Sequence, residues 1–133
     1  MIVVDTNIIA YLHIPGEFTP LAERLMAKDS NWAAPPLWRS ELRNALALYL
    51  RKRQLTLEKA CAIQRQAESR LADTELPIDS ADVLQLASTS GLSAYDCEFI
   101  ALAQRLGVPL VTTDKKLLRA FPTVAISLSA ATA

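Results

Sequence analysis

The 133-residue chain has few of the residues that build disulfide scaffolds, zinc sites or membrane spans. It holds two cysteines, Cys61 and Cys97, in separate helix-like segments without a CxxC pair, and a single histidine, His13. Because zinc sites need several such ligands at close spacing, both cysteines are expected to be reduced thiols in the core. No long apolar run and no basic leader is present, so we expect neither a membrane span nor a signal peptide, and a cytoplasmic location.

The sequence also lacks net charge, because 14 basic residues balance 14 acidic ones. Composition therefore gives no general attraction to nucleic acid, and any such binding must come from local clusters. The 51% of apolar residues is typical of a globular chain that can bury a sizeable core. The length fits one domain, predicted at residues 1–128, with a flexible tail at 129–133.

Short apolar segments alternate with helical patterns along the whole chain. Strands are predicted at 2–5, 32–34, 75–78, 108–113 and 124–128, and helices at 6–12, 20–28, 37–53, 56–72, 80–90, 93–106 and 115–120. This alternation favours an α/β fold, a three-layer α/β/α sandwich with a mainly parallel central sheet. Such sheets bind ligands beyond the carboxyl ends of their strands, so the candidate chemistry is expected there.

Two predicted strands end in an aspartate, Asp5 and Asp114. A single aspartate after a strand often only caps the next helix, whereas two at one edge of a sheet indicate a site more strongly. Glu41 lies inside the long helix at 37–53, on or beside its apolar face, where an ionised carboxylate is costly unless it is paired or bound to metal. Neither Arg39 nor Arg43 stands three or four residues from Glu41, so the helix itself supplies no partner.

Asp96 and Glu98 indicate a site less strongly than the three preceding acids do. Asp96 stands three residues after Ser93, the spacing of a capping box, so the residues alone favour a helix cap that can still face the sheet edge. Glu98 is either a solvated helix residue or an accessory ligand. Several carboxylates in one pocket repel each other, and a bound Mg²⁺ or Mn²⁺ removes that cost. A ligand set made of oxygen alone favours these ions over zinc.

Together these residues resemble the PIN-domain family of metal-dependent nucleases, and within it the VapC-type toxins. The order and spacing of the matching segments span nearly the whole chain. Those segments are Val3-Val4-Asp5-Thr6-Asn7, Glu41, Ser93-Ala94-Tyr95-Asp96 with Ile100-Ala101-Leu102-Ala103, and Leu110-Val111-Thr112-Thr113-Asp114.

The resemblance implies a ribonuclease that uses Mg²⁺ or Mn²⁺. The implied catalytic and metal-binding residues are Asp5, Glu41, Asp96 and Asp114. The groups implied to orient these acids are Thr6, Asn7 and Thr112. For a toxin-like member, the resemblance further implies a homodimer and a small VapB-like antitoxin that wraps the toxin and blocks its site.

Basic residues near the acids are candidates for contacts to RNA phosphates. Arg39 and Arg43 lie one helical turn apart, and Lys115 follows the last acid. Three alternatives remain open at this point. The chain could be a PIN-fold ribonuclease without an antitoxin, or a non-catalytic RNA- or protein-binding module. It could also be a phosphohydrolase or phosphotransferase with Asp5 as nucleophile, although Asn7 stands where such enzymes usually have a second aspartate.

Overall fold

A computed structural model describes residues 1–133 as one four-stranded parallel sheet with eight helices. The strands are β1 (Ile2–Val4), β2 (Trp32–Ala33), β3 (Leu110–Thr112) and β4 (Ala125–Ser127). The helices are α1 (Thr6–His13), α2 (Thr19–Lys28), α3 (Leu37–Arg51), α4 (Leu57–Arg70), α5 (Ser80–Ser90), α6 (Ala94–Leu106), α7 (Lys115–Ala120) and α8 (Leu128–Ala131). None of these helices has the length and apolar character needed to cross a membrane.

The strand order in the sheet is β2-β1-β3-β4, and all three pairings are parallel. The chain moves in one direction from β1 to β2 and in the opposite direction from β3 to β4, so the order reverses between β1 and β3. Because parallel crossovers are right-handed, opposite directions place their helices on opposite faces of the sheet. The predicted three-layer α/β/α architecture is confirmed.

The core runs through the two central strands and the helices that pack against them. Every residue of β1 and β3 is buried, which explains why both read as continuous apolar runs. On α3, Trp38 and Leu42 are fully buried. Helix α6 buries six residues and packs against β1 and β3. This packing holds the start of α6 close to the carboxyl ends of the two central strands.

Two predicted segments differ from the structure. Residues 75–78 were predicted as a strand, but only Glu75 forms a single parallel bridge, with Ala34. The end of the chain, predicted as a flexible tail, instead continues into α8, whose first turn is capped by the Ser127 side chain. Leu128 and Thr132 are buried there, since this last turn packs against β4 and α2. The structure thus places a helical turn, packed against the domain, within the segment predicted as a tail.

The prediction for the cysteines is confirmed for Cys97 and wrong for Cys61. Cys97 is buried on α6, whereas Cys61 is exposed on α4. Helix α4 buries only Ala60 and Ala67, which lie two turns apart on one face. Cys61 follows Ala60 directly and is therefore turned about 100° away from that face.

Candidate active site

A cleft of about 570 Å³ opens at the carboxyl edge of the sheet, where the strand order reverses between β1 and β3. This reversal point is where parallel sheets bind their ligands. The cleft is lined by all four predicted acids and by no lysine, arginine or histidine. Its lining residues are Asp5, Thr6, Asn7, Ala10, Leu37, Ser40, Glu41, Asn44, Ala45, Leu48, Tyr95, Asp96 and Asp114.

Asp5 lies at the bottom of the cleft, directly after β1. Its backbone N–H donates to the carbonyl of Val111 at 3.1 Å, so the pairing of β1 with β3 fixes its position. The hydroxyl of Thr112 donates to Asp5 Oδ2 at 2.8 Å. Burial raises the pKa of Asp5 more than this hydrogen bond lowers it, and the carboxylates of Asp114 and Asp96 raise it further. Asp5 therefore carries its negative charge in an unfavourable environment.

Glu41 faces Asp5 from helix α3. The buried hydroxyl of Thr6, in the first turn of α1, donates to Glu41 Oε1 at 2.7 Å. Burial raises the pKa of Glu41, while the bond from Thr6 lowers it, and nearby carboxylates, first of all Asp5, raise it again. The prediction that Glu41 sits beside the apolar face agrees with its half-buried position, and its partner is a hydroxyl rather than a cation.

Asp114 lies at the junction between β3 and α7, and hydrogen bonds to residues on each side fix its position. Its backbone N–H donates to Thr112 Oγ1 at 3.0 Å, so the same hydroxyl that donates to Asp5 also orients Asp114. The Asp114 carboxylate caps α7 by accepting the N–H of Lys116 at 2.8 Å. Both strand-end aspartates are thus connected through Thr112, which is completely buried.

Asp96 lines the cleft from the first turn of α6. The side chain of Ser93 caps this helix by accepting the N–H of Asp96 at 3.1 Å. The carboxylate of Asp96 is left free of the cap, and its Oδ2 lies 3.8 Å from Nζ of Lys116. The capping interpretation therefore holds for Ser93, while the side chain of Asp96 belongs to the cleft.

The structure does not bring all predicted site residues together. Arg39 forms ion pairs of 2.8 Å with both Glu68 and Glu75, and Arg43 lies 3.9 Å from Glu68. Neither arginine lines the cleft, since both face α4 and the segment after it. Sequence spacing could not predict that these arginines pair with one acid on α4 and another in the segment after it.

Two further predicted residues lie near the cleft without lining it. Lys115 is exposed directly after Asp114. Glu98 is half-buried, and its charge contributes a little to the raised pKa of Glu41. Asn7 does line the cleft and is exposed to solvent.

Sequence reasoning missed several lining residues. Ser40, Asn44 and Leu48 lie on α3 around the turn of Glu41, and Tyr95 precedes Asp96 on α6. The helical spacing of 41, 44 and 48 was a usable signal, because residues three and four apart share one face. Once Glu41 is known to line the cleft, Asn44 and Leu48 are expected to line it as well, because they lie on the same face of α3.

Comparison with known proteins identifies the family of this chain. The sequence profile of the PIN domain matches residues 2–121. This chain belongs to the PIN-domain family. Ribonuclease VapC3 of Pyrobaculum aerophilum is 30% identical over 126 residues, which cover 91% of this chain and 95% of that protein. The predicted resemblance to PIN domains, with VapC-type proteins among the relatives, is confirmed.

Solved structures share the fold of this PIN domain. PAE2754 from Pyrobaculum aerophilum matches with a TM-score of 0.72 at 23% identity, over 97% of this chain and 91% of that one. FitAcB from Neisseria gonorrhoeae matches with 0.74 at 21% identity, over 97% and 99%. A structure of FitAB bound to an IR36 DNA fragment matches with 0.74 at 19% identity, over 96% and 95%. At such identities these likenesses concern the fold alone.

The donor set of this PIN domain fits a hard divalent ion. All candidate ligands are carboxylates, and burial and mutual repulsion raise the pKa of both Asp5 and Glu41. No group of three or more acids is arranged tightly enough to hold one ion through protein contacts alone. Mg²⁺ keeps several waters and often binds through one or two carboxylates, so its preferences match this looser arrangement.

Proposed function

We propose that this PIN domain is a metal-dependent endoribonuclease of the VapC type, which hydrolyses RNA phosphodiester bonds with Mg²⁺ or Mn²⁺. The observation that carries the proposal is the convergence of Asp5, Glu41, Asp96 and Asp114 in one cleft at the reversal point of the sheet. The name of the relative Ribonuclease VapC3 supports RNA as the substrate class.

One or two of the four acids would bind the ion directly, the others would reach it through its bound waters, and the chain's own hydroxyls would orient Asp5 and Glu41. A bound ion would supply an activated water and would neutralise charge on the phosphodiester. Thr112 donates to Oδ2 of Asp5 and Thr6 donates to Oε1 of Glu41, so each of these carboxylates has a fixed orientation in the cleft. Because both threonines are buried, they hold these orientations before any ligand arrives.

Contacts to RNA phosphates are proposed at the start of α7. Lys115 is exposed beside Asp114, and Lys116 lies 3.8 Å from Asp96 at the edge of the cleft. Arg39 is poorly placed to bind a phosphate, because Glu68 and Glu75 already engage its guanidinium group. Near-neutral overall charge makes such local cations the main source of attraction to the backbone.

Cleavage assays with matched carboxylate variants test the activity. Asp5→Asn and Asp114→Asn should each slow RNA cleavage by about 100-fold or more, a loss typical for groups that stabilise developing charge. Asp73→Asn removes an exposed carboxylate outside the cleft and should leave the rate unchanged. Chelation of divalent ions should abolish cleavage. Wild-type rates in the folded Asp5→Asn and Asp114→Asn variants would contradict the proposal.

We also propose a homodimer, a cytoplasmic location and a small VapB-like antitoxin that blocks the cleft. The similarity to a VapC protein supports the antitoxin, and the lack of net charge leaves little electrostatic resistance to self-association. Expression of the wild-type chain should arrest growth, Asp5→Asn should not, and co-expression of a small upstream reading frame should relieve the arrest. Cleavage in vitro without growth arrest would instead favour a ribonuclease without an antitoxin. Sedimentation would test the dimer.

A further inference from the structure

The cleft has an apolar end that the four acids do not explain. Leu48 is 46% exposed and Tyr95 is 64% exposed, and both line the same cleft as the acids. Single exposed apolar side chains are ordinary on protein surfaces. These two stand in the cleft of the candidate ligands, where a ligand bound at the acids would bring its adjoining part close to them.

Leu48 and Tyr95 each lie on the same helix as one of the candidate acids. Glu41, Ala45 and Leu48 follow each other on one face of α3, so Leu48 lies about 10 Å along the helix from Glu41. Tyr95 directly precedes Asp96 at the start of α6. A ligand with its charged group at the acids would therefore place its neighbouring part against Leu48 and Tyr95.

The Tyr95 ring has no aromatic partner within the chain. The one aromatic pair joins Tyr11 and Phe18. Tyr95 lines the cleft and is 64% exposed to solvent, so much of its surface remains available for a ligand. An aromatic ring with an open face is the feature that proteins use to stack unpaired nucleobases.

We propose that Tyr95, with Leu48 as an apolar wall, forms a subsite that stacks a nucleobase next to the phosphate held at the acids. This inference rests on the proposed ribonuclease function and adds a binding element to it. No basic residue lines the cleft itself, and Lys115 and Lys116 stand at its edge, so contacts other than charge would add to the affinity for a strand inside the cleft. Stacking supplies such affinity for any base, because every base has a π-face.

Steady-state cleavage of a short single-stranded RNA in Mg²⁺ tests the subsite. Tyr95→Ala should lower kcat/KM by about 5- to 150-fold, the loss that corresponds to one stacked base, mainly through KM. Tyr95→Phe keeps the ring and should stay close to wild type. Leu84→Ala is the matched control, because Leu84 is also 64% exposed but lies outside the cleft.

Competition by two oligomers separates stacking from a structural effect of the substitution. Oligouridine should inhibit the wild-type protein more strongly than an abasic oligomer with the same backbone, and Tyr95→Ala should lose this preference. A wild-type protein that cleaves RNA but binds both oligomers equally would overturn the subsite and leave the proposed function standing. If the wild-type protein cleaved no RNA, both would fail. Dissociation of a dimer by Tyr95→Ala, measured by sedimentation, would assign the patch to a second copy and overturn the subsite.

Discussion

Asp5→Asn should stabilise the metal-free protein while it removes activity. Burial raises the pKa of Asp5 above the 3.8 that applies to the unfolded chain. Over the pH range between these two values, the folded state keeps a proton that the unfolded chain has lost, so stability falls as the pH rises through that range. Above it, the folded protein carries the full penalty of a charge that is desolvated and repelled by Asp114 and Asp96. Asparagine removes that charge.

The expected change in the free energy of unfolding of Asp5→Asn is the sum of two opposing effects. Asparagine still accepts the hydroxyl of Thr112 through its carbonyl oxygen, but the hydrogen bond becomes a neutral one and loses about 1 kcal/mol. Loss of the buried charge outweighs this, and the net rise in the free energy of unfolding should be about 0.5–2 kcal/mol, the range common for single stabilising substitutions. For a chain of this length, that gain raises the melting temperature by about 2–8 °C.

Thermal unfolding with and without Mg²⁺ measures both parts of the argument. At a Mg²⁺ concentration about 100 times its Kd, the free energy of unfolding of the wild-type protein should rise by about 2.7 kcal/mol. Loss of a group that only orients a metal ligand weakens metal binding by about 10–100-fold, and Asp5→Asn removes a candidate ligand itself, so Mg²⁺ at the same concentration should raise the stability of this variant by at most about 1.4 kcal/mol. Asp73→Asn serves as the exposed control and should shift stability by less than about 0.5 kcal/mol. An Asp5→Asn variant less stable than wild type without metal, or with an equal Mg²⁺ shift, would refute the reasoning.

Three further substitutions test which residues affect catalysis in the cleft and which affect only the stability of the fold. Thr112→Val removes a buried hydroxyl that orients Asp5, so it should cost about 1–3 kcal/mol of stability and slow RNA cleavage by about 10–100-fold; normal cleavage would contradict its orienting role. Arg39→Met breaks two ion pairs outside the cleft and should lower the melting temperature while kcat stays unchanged. Burial lowers the pKa of His13, whose Nε2 lies 3.3 Å from Arg70 Nε, so stability should fall as the pH drops below about 6.5. Denaturation curves should show a weaker decline in His13→Gln.

Much of the fold follows from local patterns. The alternation of short apolar runs with amphipathic helices predicted the α/β sandwich, because the period of each segment depends only on which faces are buried. Asp5 and Asp114 could be placed at one edge because parallel strands end on the same side. Cys61 and the end of the chain were predicted less well, since the rotation of α4 and the docking of α8 depend on packing between distant elements.

The sequence by itself determined the fold class, the edge of the sheet at which the candidate site lies and the oxygen-only character of the candidate ligands. These follow from periodicity and residue type. Only the tertiary structure decided which side chains meet: Thr112 reaches Asp5 across 107 positions, Thr6 reaches Glu41 across 35, and Arg39 turns to α4. Such contacts depend on how the helices pack onto the sheet, and sequence spacing carries no information about neighbours so far apart in the chain.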